Sequence, residues 1–138
     1  MGISRRFFII RNKLWTLYQF WYIILSMKYE VQILESAVSI LKSLNLKLRA
    51  KAYRSLQLLE EFGPFLAEPH SKKIKGYKSL YELRVKQGSN ICRFFYFHQK
   101  EKVYIVTSGY IKKDRKTRKS ELISAEKLMK KFMEENHE

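Results

Sequence analysis

The chain is short of acid, of cysteine and of uninterrupted apolar sequence, and each shortage removes a class of protein. Its one cysteine, Cys92, can form no intramolecular disulfide, so the cross-linked secreted mini-domains are excluded and a reducing, cytoplasmic setting is expected. Because Cys92 lies inside the apolar run 91–97, it reads as a small buried side chain rather than a nucleophile. Three histidines, at 70, 98 and 137, lack the paired spacing of a zinc site. No metal is expected, and no residue pattern implies a cofactor. In the aromatic N-terminal segment the longest stretch without a charge runs from 14 to 27 and still contains Thr16, Gln19 and Ser26. That is short of the roughly 20 apolar residues of a membrane span. A signal peptide would also need a small-residue cleavage site, and none precedes Met27.

What is abundant is positive charge and aromatic side chains. Lysine and arginine number 28 against 13 acids, a formal charge of +15, which implies a polyanionic partner. Residues 70–119 hold 15 of those cations and 3 acids, whereas the other 88 residues hold 13 and 10. A merely solubilising surface would spread its charge over every face and mix the signs. Concentration in one 50-residue block points instead to a partner that is gripped in one place. Nine Phe, nine Tyr and two Trp in 138 residues are ample for one core, so one folded domain is expected.

Along the chain, residues 1–26 read as a hydrophobic, aromatic extension, either a leader with a misassigned start or a docking helix, and 27–138 as the working domain. Tyr29, Val31 and Ile33 alternate with Glu30 and Gln32, the period of a strand over 28–34. Helical spacing follows in Ala37, Ile40, Leu41 and Leu44, and again in Leu48, Ala52, Leu56 and Leu59, with Asn45 between two helices. Gly63 and Pro64 stop the second. A polar loop is expected over 68–79, then three antiparallel strands at 80–86, 90–98 and 103–108 joined by short turns. The middle strand is apolar on both faces apart from Arg93, so it should be central. After Gly109 a basic run leads to a helix with Leu122, Ala125, Leu128, Met129 and Phe132 on one side. The fold class expected is α+β in the order β-α-α-β-β-β-α, an antiparallel sheet with its helices packed on one face.

Two basic segments, KKIK at 72–75 and KKDRK at 112–116, bracket the strand that carries Arg84. Such a cluster can hold phosphates, and it can also cleave RNA without a metal. The 2′-hydroxyl attacks the neighbouring phosphorus, so the protein must accept a proton, protonate the leaving oxygen and stabilise charge on the phosphate. An amine crowded by other cations becomes a usable base near neutrality. Arginine, which holds phosphate in a bidentate fork and stays protonated, suits the stabilising role. Tyr81, Tyr96 and Tyr110 neighbour these groups and can stack on splayed bases, although an aromatic at strand spacing also has a plain core role.

These residues resemble the RelE/ParE-superfamily toxins, and within them the HigB-like, phage-derived branch of type II toxin–antitoxin systems. The resemblance rests on HSKKIKG at 70–76, LYELR at 80–84, RFFYF at 93–97 and GYIKKDRKT at 109–117, and spans about 28–132. It implies the compact RelE-like toxin fold and a metal-independent endoribonuclease, an mRNA interferase that cuts messenger RNA on the translating ribosome and so inhibits translation. It also implies neutralisation by a cognate antitoxin, a small helix-turn-helix protein of HigA type. By the same resemblance Arg84 contacts the scissile phosphate and Lys112 and Lys113 stand at the catalytic basic position. Lys72, Lys73 and Lys75 match the RNA-holding loop, Arg93 matches a second sheet arginine, and Tyr96, Tyr110, Arg115 and Lys116 complete the expected RNA contacts. Two departures stand out: the segment after Tyr110 has neither the histidine nor the tyrosine some relatives use, and Arg118 stands where many have proline. A ParE-like gyrase inhibitor and a non-catalytic nucleic-acid-binding protein are the alternative functions on the same sequence.

Overall fold

A computed structural model describes residues 16–19, 21–22, 28–112 and 119–136. Strand β1 (Glu30–Ile33) leads into helices α1 (Glu35–Ser43) and α2 (Leu46–Phe62), followed by a 3-10 turn at Gly63–Phe65. Strands β2 (Ser71–Lys73), β3 (Tyr81–Gln87), β4 (Asn90–Lys100) and β5 (Val103–Lys112) come next, and helix α3 (Lys119–Glu135) closes the order. The five strands form one sheet, β1-β5-β4-β3-β2, with β4 central. Of the expected N-terminal extension, residues 16–19 and 21–22 are helical and exposed; the rest lies outside the described residues.

Local chemistry explains the helix boundaries. Asn45 caps α2, its Oδ1 accepting from the Leu48 N–H at 2.9 Å, which satisfies one of the free donors of a helix start. Arg49 then ties the two helices together: its Nε donates to Leu41 O at 3.0 Å and its Nη2 to Lys42 O and Leu44 O at 2.7 and 2.9 Å. One guanidinium thus satisfies carbonyls that the end of α1 would leave open. At the far end of α2, Gly63 adopts φ 52, and a Cβ there would lie 2.4 Å from the Tyr29 ring. Both the left-handed backbone and the close ring require glycine.

The meander of β2 to β5 is antiparallel, as the alternation predicts, but the sheet differs from expectation at four points. First, β1 joins β5 in parallel, Glu30 opposite Val103. A two-helix connection between β1 and the meander permits this, because parallel neighbours need a long crossover. Second, the polar loop contains β2, which pairs Ser71, Lys72 and Lys73 with Leu83, Glu82 and Tyr81. Third, β5 runs through Gly109 to Lys112 instead of ending at 108. A Cβ at Gly109 would lie 2.6 Å from Phe94 Cδ1, so this glycine marks close strand packing rather than a strand end.

Fourth, the helices cover both faces. Leu41, Leu44, Leu48, Leu56 and Leu59 pack with Leu83, Val85, Cys92, Phe94 and Val106 on one side. On the other, Ala125, Leu122 and Met129 of α3 pack with Leu80, Phe95 and Tyr110, and Phe132 meets Phe97 edge to face at 5.9 Å. Successive β4 residues therefore serve opposite cores, which is why that strand is apolar on both sides.

Candidate functional site

The polar end of the sheet is built around Glu82. Its carboxylate is buried to 1% exposure, which is costly unless the charge is paired. Two arginines pair it: Arg84 Nε at 2.8 Å from two positions along β3, and Arg93 Nη1 at 2.9 Å from β4. Arg84 and Arg93 are themselves register partners across β3 and β4, and Arg93 in turn pairs with Tyr110 of β5. A row of Arg84, Arg93 and Tyr110 thus crosses three strands. The row beyond it brings Lys86 to Ile91 and Ile91 to Lys112. One acid shared by two arginines leaves this end of the sheet with net positive charge even where it is most neutralised.

Because β2 pairs with β3 only as far as Leu83, the edge of β3 beyond it opens into a cleft of about 520 Å³. The cleft is walled by Lys51 and Arg54 of α2, by His70, and by Arg84, Lys86 and Arg93 of the sheet. Leu58, Val85, Ile91 and Pro69 supply its apolar lining, and no carboxylate lines it among the described residues. The His70 carbonyl accepts from the Arg84 backbone N–H at 2.8 Å, which fixes the loop before β2 against this strand. Arg54 also faces Glu61 at 3.6 Å, but both side chains are exposed, and such a pair contributes little.

The expected site residues separate under this geometry. Arg84, Arg93 and Lys112 come together, and Lys72 lies beside Glu82 on the same face by its register. Lys73 pairs with Tyr81 on the opposite face, and Lys75 is exposed beyond the end of β2. Lys113, Arg115 and Lys116 lie outside the described residues.

Tyr96 is not available as an RNA contact: it is 3% exposed in the core beneath α1 and α2. There its hydroxyl bonds Ser71 and its ring stacks on Tyr81 at 5.4 Å. The even positions of β4 face that core, so the alternation itself removes Tyr96 from the basic face. Burial also pushes its phenol above the usual range. Tyr110 is on the basic side but is only 6% exposed, stacked on Phe95 at 5.8 Å beneath α3; it contributes to the second core rather than offering an open ring for stacking. Burial drives the Cys92 thiol up to about 12, which leaves it inert as a nucleophile.

Lys51, Arg54, His70 and Lys86 are the cleft residues that the sequence alone did not single out. A signal was present: Lys51, Arg54, Ser55 and Leu58 stand at helical spacing i, i+3, i+4 and i+7, one stripe of α2. Among the described residues, no group of three or more His, Cys, Asp or Glu could hold a metal ion, and no helix is long and apolar enough to cross a membrane.

The fold is that of the RelE toxins. The structure resembles a double arginine-to-alanine variant of Escherichia coli toxin RelE in the free state, with a TM-score of 0.54 at 23% identity over 76% of this chain and 98% of that one. It also matches the archaeal RelE–RelB complex from Pyrococcus horikoshii (TM-score 0.45, 23% identity, 62% of this chain and 96% of that one). A further match is the intact E. coli RelBE toxin–antitoxin complex (TM-score 0.48, 24% identity, 63% and 99%). No curated protein sequence matches the chain significantly. Residues 39–130 match the family described as phage derived protein Gp49-like, and the chain belongs to that family.

Proposed function

We propose that the chain is the toxin of a type II toxin–antitoxin system, acting as a metal-independent endoribonuclease that cuts messenger RNA on the ribosome. The observation that carries this reading is the juxtaposition of Arg84 and Arg93 over one buried acid, beside a cleft lined by cations and, among the described residues, by no carboxylate. In the reaction, the 2′-oxygen forms a bond to phosphorus while the bond to the 5′-oxygen breaks, leaving a 2′,3′-cyclic phosphate and a free 5′-hydroxyl. Arg84 and Arg93 stabilise the charge that develops on the phosphate oxygens. Lys112 and Lys113 hold the basic positions from which the 2′-proton is taken and the leaving oxygen protonated. Glu82 keeps the two guanidiniums side by side without facing the phosphate. A small helix-turn-helix antitoxin encoded beside the gene is the expected partner.

Induction of the chain in cells, followed by primer extension on cellular transcripts, tests this reading. We expect discrete new 5′ ends and growth arrest, with both abolished by Arg84→Ala in a chain that still folds. Treating the protein alone with EDTA, removing the chelator and then adding the protein to messenger-loaded ribosomes is the matching test of metal independence; cleavage should be undiminished. Growth arrest with intact transcripts and inhibited gyrase supercoiling would overturn the nuclease reading in favour of a gyrase-directed one. Binding without either effect would leave only a nucleic-acid-binding protein.

A further inference from the structure

We propose that the cleft between α2 and the open edge of β3 is a groove for the backbone of single-stranded RNA, with Lys51 and Arg54 as phosphate-holding residues. The proposal rests on the RNA-directed reading above and adds to it a helix wall that the sheet arginines do not supply. Three observations converge. The cleft joins charges from separate parts of the chain: Lys51 and Arg54 from α2, Arg84 and Lys86 from β3, and Arg93 from β4. Lys51 and Arg54 are exposed, and at a spacing of three residues their Cβ atoms stand about 5–6 Å apart on one helix face, so the two heads can take neighbouring phosphate oxygens. Leu58, Ile91 and Pro69 give the same cleft an apolar lining.

That pairing of basic wall and apolar floor suits a chain whose bases are unstacked. A duplex hides its base faces, whereas a splayed base can lie on the floor while its phosphates meet the cations. At about 520 Å³ the cleft falls within the roughly 300–1,000 Å³ range of sites that enclose a small ligand, enough for one nucleotide unit with its neighbours running out along the rim. An acidic protein segment would also be attracted by the cations. It brings no flat base face to lie on the lining of Leu58, Ile91 and Pro69, so RNA is the occupant that uses both the cations and the floor.

The test is fluorescence anisotropy of a 5′-labelled single-stranded RNA oligonucleotide, with 2′-O-methyl groups to block cleavage, bound to the full chain over a salt series. The double variant Lys51→Gln/Arg54→Gln is compared with Lys127→Gln/Lys131→Gln. The latter removes the same charge from exposed positions on α3, which packs on the face of the sheet away from α2 and so away from the helix wall of the cleft. Each cation that neutralises a phosphate of a single strand contributes about 0.7 to the log–log salt slope. Removing two of them should make the slope of the cleft variant shallower by roughly 1.4. The α3 variant should keep the wild-type slope. In steady-state cleavage of messenger-loaded ribosomes, the cleft variant should raise KM several-fold and leave kcat unchanged, because these residues position substrate without touching the reacting atoms. Equal slopes for the two double variants would overturn the groove while leaving the nuclease intact, and so would tighter binding to a duplex than to the single strand. Wild-type chain that neither binds the oligonucleotide nor cleaves messenger on ribosomes would instead overturn the functional reading on which the groove rests.

Discussion

Arg84 Nε lies 2.8 Å from Glu82 Oε1, on the same face of the same strand, and Arg93 brings a second guanidinium to that carboxylate from the neighbouring strand. The acid therefore separates two like charges that strand register places side by side. Removing it with Glu82→Ala leaves the two guanidiniums adjacent without the carboxylate that bridges them. We expect a loss of roughly 2–3 kcal/mol, below the 3–5 kcal/mol of a fully buried pair because the Arg84 side chain is 30% exposed. Urea unfolding checks this, and an unchanged midpoint would show that the two arginines need no anion between them.

Gly109 carries a different kind of constraint. Its backbone is ordinary strand, but a methyl group would come within 2.6 Å of Phe94 Cδ1 and 3.0 Å of the Arg93 carbonyl. Gly109→Ala should cost about 1–3 kcal/mol by overpacking. Combining it with Phe94→Leu should recover part of that loss, a coupling visible in a double-mutant cycle. Simple additivity would mean that the ring moves aside freely.

Two buried weak acids, Cys92 and Tyr104, couple the stability of the fold to alkaline pH. The Cys92 thiol rises from 9.0 to about 12 and the Tyr104 phenol from 10.0 to about 12, both chiefly through burial. The folded state thus favours the protonated forms. Their contribution is complete below the pKa of the unfolded groups and is lost as pH climbs from about 9 towards 12, where the unfolded chain releases protons that the folded chain retains. Urea midpoints measured from about pH 8 to 11 should fall steadily above the ordinary thiol range, and Cys92→Ala should flatten the first part of that fall. A midpoint constant across that series would contradict the burial of both groups.

We propose that residues 27–138 are the working unit. The described side chains before it include Tyr18 at 62% and Trp21 at 59% exposure, so little of the core depends on them. A chain starting at Met27 should melt within about 2 °C of the full-length protein, a shift corresponding to less than about 1 kcal/mol. Loss of cooperative unfolding would assign the N-terminal segment a structural role.

Much of the fold is legible in the sequence because period and punctuation agree locally. Val31 and Ile33 alternate with polar neighbours, Asn45 divides and caps two helices, and Gly63 ends one. What escapes sequence reasoning depends on long-range placement. Three polar residues, Ser71 to Lys73, show no alternation, and they form a strand only because β3 offers an edge. The apolar stripe of α3 shows that it packs, not which face of the sheet receives it, although the doubly apolar β4 already requires cover on both sides. At the site, Arg84 and Arg93 are readable from their strands, whereas Lys51 and Arg54 look like the solvated face of any helix until α2 is laid along the edge of β3. Tyr96 is misplaced by sequence reasoning because nearness along the chain to a basic group says nothing about parity along a strand.

The pairing of β1 with β5 sets an order on the birth of the molecule. Glu30 waits for Val103, and Ile33 for Val106, so the first strand has no sheet to join until about three quarters of the chain has been synthesised. The closing contact spans a long loop, which makes this step slow relative to the local helices α1 and α2. A chain released before Val103 is made ends with an unpaired β1 and without the strand that flanks Arg93. Truncated products should therefore be harmless and quickly degraded, and the basic groove should exist only on chains whose synthesis has run nearly to completion.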